Sequence, residues 1–291
     1  SYDWKSFRAQ LMGKVRTLVI ILLCAMLLTC LLIMWFLRKI VIKPLNTVQN
    51  AMRGYMAEKD SSKVKERLSV IKTQNEIGKL SHDAEDLTVE MDSYISGIKT
   101  LTREVMEALA HTIDAKDKYT NGHSFRVAIY SRMLAKELGL SEKEQEDIYY
   151  MGLLHDIGKI GIPNVIINKP TRLTDEEYEI IKKHPVYGYE ILSEIQSMPA
   201  LSTGARYHHE RIDGKGYPDG LKGDEIPYMA RIIAVADSYD TMTSNRSYRK
   251  YLPQDVVRDE IERNIGTQFE EEPAKAMLKI IDGDKNYMLH E

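Results

Sequence analysis

Apolar positions along this chain fall into three regimes. From Leu18 to Leu37 they form a continuous run whose only mild interruptions are Cys24, Thr29 and Cys30. Its roughly 20 residues match the length that a helix needs to cross a hydrocarbon core. A signal-peptide core is shorter and ends in small residues, whereas this run ends in Trp35 and Phe36, followed by Arg38-Lys39. A buried core helix rarely stays uncharged for so long, so a transmembrane helix is expected over 18–37. Beyond it, Pro44 opens a predicted helix with apolar positions Leu45, Val48, Met52 and Tyr55, and a polar, irregular stretch follows to about Val70. Then Ile77, Leu80, Ala84, Leu87, Met91, Tyr94, Ile98, Leu101 and Val105 recur in alternating steps of three and four. A helix lying on its own domain would drift toward a 3.6-residue period, so the unbroken heptad favours a parallel dimeric coiled coil.

From about residue 103 the pattern reads as helices of ordinary length. Ser141-x-x-Glu144 and Thr174-x-x-Glu177 are capping boxes ahead of periodic apolar residues. The exception is a loop rich in Gly and Asp over Glu210–Tyr228. Alternating strand runs are absent, so the predicted fold class is all-α: a membrane helix, a coiled-coil stalk and a helical bundle.

Composition narrows the partners. At 291 residues the chain can hold one domain of ordinary size plus smaller parts. A net charge of -3 gives no sign of a polyanion-binding surface, which argues against duplex nucleic acid as a partner. With Cys24 and Cys30 both inside the apolar run, neither a disulfide framework nor a zinc finger is available. Lys5, Arg8, Lys14 and Arg16 precede the run and Arg38, Lys39 and Lys43 follow it, so the positive-inside count leaves orientation open. The sequence begins at Ser1 in the middle of what reads as a helix, and 1–17 is expected to be the juxtamembrane end of a further segment, such as an extracytoplasmic sensor.

The chemistry lies in the third regime. His155-Asp156 stands in HDIGKIGIP, with His123 upstream in DKYTNGH. Downstream come His184 in KKHPVYGYEIL, His208-His209 in HHERIDGKGYPDGLKGDEIP, and Asp237 in ADSYDTMTSNRSYRK. A single buried His is usually a hydrogen-bonded core residue. Seven such residues in five separate blocks point instead to a metal centre, and imidazole with carboxylate suits Mn, Fe, Ni or Zn better than Mg or Ca. A vicinal His-Asp lets the carboxylate bridge two ions while the imidazole holds one. Several His with two Asp make a poor haem shell. His82, His111 and His290 stand outside the blocks and read as ordinary residues.

HDIGK, HHE, GKGYPDGLKGDEIP with its Gly216-Tyr217-Pro218, and the GTQF at 266–269 together resemble the HD-GYP family, HD-domain phosphohydrolases that act on cyclic di-GMP. The resemblance covers about 103–285, with the catalytic domain at 106–285. It implies an all-helical domain that hydrolyses a phosphodiester, with metal ligands His123, His155, Asp156, His184, His208, His209 and Asp237. Asp156 would bridge, with His155, Asp237 and His123 on one ion and His184 with His208-His209 on the other. Lys159 matches the catalytic Lys of the family. Tyr217, Arg246 and Arg249 match positions that hold the guanine or phosphates. Two departures stand out. Members with a third metal carry Glu four residues before the first His, where this chain has Tyr119, so two ions are expected, Fe or Mn. Asn245-Arg246-Ser247 also replaces the usual Asp-Arg-Pro.

Residues 38–95, with Pro44-Leu45 and NEIGKL at 75–80, resemble a HAMP linker, followed by a signalling helix over 96–105. HAMP modules are dimeric and cytoplasmic, which implies a homodimer on the inner membrane of a bacterium with its catalytic domain in the cytoplasm. The expected activity is metal-dependent hydrolysis of cyclic di-GMP to linear pGpG or GMP through a metal-bridged hydroxide, regulated through the stalk. The competing readings are a non-catalytic cyclic di-GMP receptor and a phosphodiesterase of another cyclic dinucleotide, such as cyclic GMP-AMP.

Overall fold

The computed structural model describes residues 4–117, 122–244 and 250–289. Within them every regular element is helical, and extended pairing is limited to two isolated bridges, Asp213 with Lys222 and Ile265 with Phe269. The fold is all-α, as the residue pattern predicts. The chain divides into two compact units, Ser1–Thr100 and Leu101–Glu291.

In the first unit, α1 (Trp4–Leu37) passes through a π-helical stretch, Arg38–Ile42, into α2 (Lys43–Glu58). Pro44 opens this helix as predicted, although the chain enters it in helical backbone geometry. It lies in the first turn of α2, next to a π stretch whose longer hydrogen-bond step already breaks the regular α pattern around the missing proline N–H. All of α1 is exposed, and its run is long and apolar enough to cross a membrane. Lys59, in the left-handed region at φ 50°, ends α2 by donating its amide to Tyr55 O.

The stretch expected to be irregular contains a helix, α3 (Ser61–Leu68), which Asp60 caps by accepting from Ser62 N. Val48, Ala51 and Tyr55 of α2 pack with Val64 and Leu68 of α3 and with Ala84 of α4 (Glu76–Lys116). Asp92 accepts from Tyr55 OH at 2.8 Å and Ser61 N at 2.9 Å. Of the heptad positions, Ala84 is buried, whereas Leu80, Leu87, Met91, Tyr94 and Ile98 are exposed. So are Leu101 and Val105 further along the same helix.

The second unit contains the end of α4, then α5 (His123–Glu137), α6 (Glu142–Leu154), α7 (Asn164–Ile167), α8 (Asp175–Ile181), α9 (His184–Leu192), α10 (Ala200–Tyr207), α11 (Tyr228–Thr243), α12 (Gln254–Arg263) and α13 (Glu271–Gly283). Both predicted capping boxes form, Ser141 with Glu144 at α6 and Thr174 with Glu177 at α8. The core joins Val127 and Leu134 of α5, Met151 and Leu154 of α6, and Ile233 and Tyr239 of α11. Gly152 lets α5 and α6 cross closely, since a Cβ there would lie 3.1 Å from Ala128 Cα. This packing delivers helix ends to one place. His123 and His184 open α5 and α9, while His155 and His208 close α6 and α10.

Candidate metal centre

Each of these four imidazoles is held by its Nδ1. His155 Nδ1 lies 2.6 Å from Gly152 O, His184 Nδ1 2.8 Å from Ile181 O, and His208 Nδ1 2.9 Å from Ala205 O. A carbonyl can only accept, so these Nδ1 atoms carry the proton and each Nε2 presents a lone pair inward. His123 Nδ1 lies 2.7 Å from Asp240 Oδ2, which imposes the same orientation.

Asp156 sits between the rings, and its two oxygens face different pairs. Oδ1 lies 3.2 Å from His184 Nε2 and 3.9 Å from His208 Nε2. Oδ2 lies 3.4 Å from His155 Nε2 and 3.6 Å from His123 Nε2. Asp237 Oδ1 is 3.4 Å from His123 Nε2. Two groups of potential ligand atoms result, one from His123, His155 and Asp237, the other from Asp156, His184, His208 and His209.

The donor set fits cations. Asp156 Oδ1 is buried without a hydrogen-bond partner. His123 and His155 bring their Nε2 atoms to 3.3 Å, and His184 and His208 to 3.4 Å. Between His184 and His208 two imidazole lone pairs cannot satisfy one another, and between His123 and His155 they do so only through a proton; a cation satisfies both pairs. Burial pushes against ionisation of Asp156, yet the Lys159 charge and the His155 and His123 contacts hold its carboxyl well below the usual range. Burial and the neighbouring imidazoles push His208 down and His209 down to about 3, leaving both neutral. Burial opposes charge on His123 as well, but hydrogen bonds to Asp156 and Asp240 raise it to about 10. On the carboxylate side, a proton occupies the role that suits a metal ion.

Lys159 follows in the 3₁₀ turn Ile157–Gly161, and its Nζ lies 2.7 Å from Asp156 Oδ2 and 3.5 Å from Asp117 Oδ2. Burial disfavours its charge, but Asp156 and Asp117 outweigh that and keep it protonated. Tyr217 is drawn against the centre, its ring tilted 30° to that of His209 at 4.7 Å. The Gly/Asp-rich loop is organised by Glu210, whose buried carboxylate accepts from Asp219 N at 2.7 Å, Gly220 N at 3.1 Å and Leu221 N at 3.0 Å. Gly216 permits the return of the loop, because a Cβ there would lie 2.5 Å from Arg211 N and Glu210 Cα. The GTQF block meets the loop from the other side, with Arg211 Nη1 donating to Gln268 Oε1 at 2.9 Å. Asp156, Lys159, His209, Tyr217, Arg211 and Gln268 are among the residues that line a cavity of about 810 Å³.

The seven residues singled out as ligands therefore meet, with Lys159 and Tyr217 beside them. Arg246, Arg249 and Tyr119 lie outside the described residues. Sequence reasoning missed Asp240 and Arg126. Arg126 Nε donates to Asp240 Oδ1 at 2.6 Å, while Asp240 orients His123, so a part-buried ion pair stands behind that ring. The available signal was the three-residue step from Asp237 to Asp240, which puts both on one side of α11.

A family model described as an HD domain matches residues 107–271. A cyclic di-GMP phosphodiesterase of Thermotoga maritima is 42% identical over 69% of this chain and 53% of its own length. A 3'3'-cGAMP-specific phosphodiesterase of Vibrio cholerae is 38% identical over 61% of this chain and 39% of its own length. The cyclic di-GMP phosphodiesterase response regulator RpfG of Xanthomonas campestris is 39% identical over 61% of this chain and 47% of its own length. The chain thus spans about half the length of the curated relatives it matches, or less.

Proposed function

The chain belongs to the HD-domain family, and on that footing we propose that it is a metal-dependent phosphodiesterase of cyclic di-GMP, of the HD-GYP type. The observation that carries this reading is Asp156, which turns one oxygen toward each of two ligand groups. The proposed ligands are His123, His155 and Asp237 for one ion, His184, His208 and His209 for the other, and Asp156 for both. When bound, such ions supply Lewis acidity, neutralising charge on phosphoryl oxygens and making a nucleophile available at neutral pH.

The remaining work falls to the chain. Lys159, kept protonated by Asp156 and Asp117, can donate to the alkoxide oxygen that leaves when the phosphodiester opens. Tyr217, beside His209, offers an aromatic wall for a base. Arg246 and Arg249 are proposed to balance phosphate charge, where a guanidinium fork can bind two oxygens at once. The cavity of about 810 Å³ falls within the range of small-molecule sites.

The test is turnover by the full chain in detergent, loaded with Mn or anaerobically with Fe. Cyclic di-GMP should be converted to the linear dinucleotide or GMP. A chelator should abolish the reaction, and added metal should restore it. The Vibrio cholerae relative favours a second substrate, cyclic GMP-AMP, and faster turnover of that compound would reassign the specificity. Tight binding of cyclic di-GMP by metal-loaded protein without any hydrolysis would make the chain a receptor.

We also propose that 18–37 anchors the chain in a bacterial inner membrane, with a HAMP-like linker over 38–95, a signalling helix over 96–105 and a cytoplasmic catalytic domain over 106–285. The exposed apolar seam of α4 supports pairing of two copies along that helix. Four residues inserted after Gly97, beyond the Asp92 contacts, shift the phase of the seam, whereas fourteen preserve it. The four-residue insertion should change turnover in membranes by at least about fivefold with metal content unchanged, and the fourteen-residue one should be milder. Equal turnover in all three proteins would reduce the stalk to a tether.

A further inference from the structure

The last turn of α4 and the residue that follows it meet the site at three places. Asp114 accepts from Ser124 Oγ at 2.6 Å and from Ser124 N at 3.3 Å, one residue past His123. Lys116 directs its ammonium at two backbone carbonyls, Lys159 O at 2.9 Å and Ile160 O at 2.6 Å. Asp117 approaches the Lys159 ammonium itself at 3.5 Å. The helix end is tied in turn, since Asn168 Nδ2 donates to Lys116 O at 2.9 Å.

The contacts of Lys116 are those a short turn needs. A 3₁₀ stretch of five residues ends in carbonyls with no partner further along the helix. Lys159 O accepts from Ile162 N at 3.0 Å, and the Lys116 ammonium adds a second donor there and serves Ile160 O as well. A cation at the carbonyl end of a helical turn is electrostatically favoured, and an ammonium has enough protons for both oxygens. Lys116, the last residue of α4, and Asp117, the residue after it, therefore hold the backbone and the side chain of Lys159.

We propose that Lys116 is a positioning residue that fastens α4 to the turn bearing Lys159, so that movement of α4 is read as displacement of the Lys159 ammonium from Asp156. This rests on the reading of Lys159 as proton donor in a phosphodiesterase, and it deepens the proposed control through α4 by naming the bond that transmits it. Asp114 in the last turn of α4 and Asp117 just past its end make the link two-sided, reaching the start of α5 and the Lys159 side chain.

The full chain and its Lys116→Met and Lys116→Arg variants test this. Met keeps the length and loses the donors, whereas Arg keeps the charge and can reach two carbonyls. In Lys116→Met, amide exchange over residues 157–162 should quicken about tenfold. Its kcat should fall about tenfold, with KM within about twofold of wild type. Metal content should be unchanged, and Arg should restore both readouts to within about threefold. Exchange and kcat at wild-type values in Lys116→Met would overturn the proposal, as would equal impairment by Met and Arg. Should Lys116→Met fail to fold, Lys116→Gln carries the same comparison. A wild-type chain that hydrolyses no cyclic dinucleotide would remove the phosphodiesterase reading, while the exchange measurement still decides whether Lys116 holds the turn.

Discussion

Asp156→Ala should abolish turnover and strip metal from both positions of the centre. The carboxylate lies within 3.9 Å of four imidazole Nε2 atoms, and its two oxygens are divided between two pairs of rings. Among the described residues of the site, the other carboxylate in a ligand group is Asp237, which belongs with His123 and His155. Replacing a residue that merely orients a metal ligand costs roughly 10–100-fold in affinity or activity, so losing a shared ligand should cost more than about 100-fold. The same substitution leaves the Lys159 ammonium with Asp117, 3.5 Å away, in place of a partner at 2.7 Å. Elemental analysis should find less than one ion per chain. If only one group empties while the other stays filled, Asp156 is not shared. Full occupancy with full turnover would dispose of the centre altogether.

The parts of the molecule that were legible in the sequence share one property: their signal is local. His155 and Asp156 are vicinal, His208 and His209 are adjacent, and the capping boxes at Ser141 and Thr174 span four residues each, so their spacing could be read directly. The all-α class followed similarly, from apolar steps of three and four without alternation. What escaped depends on contacts between distant segments or on patterns too short to register. The helix Ser61–Leu68 buries only Val64 and Leu68, a single i,i+4 pair, and its clearest mark was Asp60 as a cap. Pro44 marked the start of α2, but the π stretch that leads into it leaves no trace in residue type. The role of Asp240 depends on Arg126, 114 positions away in the chain, and that of Glu210 on three backbone amides with no side-chain signature.

Gly158→Ala should damage fold and centre together. A Cβ at this position would lie 1.9 Å from His184 O, 2.9 Å from His184 C and 2.4 Å from Gly188 N, all backbone atoms of α9. A flexible side chain could swing away from such a contact, but the backbone of a helix cannot, so either α9 or the 3₁₀ turn must move. Overpacking of this kind costs about 3 kcal/mol or more. For a unit of this size each kcal/mol lowers Tm by roughly 2–4 °C, so a loss of about 6–12 °C is expected. The chemistry should suffer beyond the stability. Gly158 lies between Asp156 and Lys159, and the helix it touches opens with His184, whose Nε2 must stay 3.2 Å from Asp156 Oδ1. Separating these elements pulls one ligand group from its bridging carboxylate, and turnover should fall at least about 100-fold even at temperatures where the variant is folded. Gly161→Ala is the internal comparison. Its Cβ would meet the Tyr187 ring at 2.6 Å, and the edge of that ring can turn aside. It should cost little turnover and less than half the Tm shift. A Gly158→Ala protein with wild-type Tm and metal content would mean that the turn and α9 do not pack against each other as described.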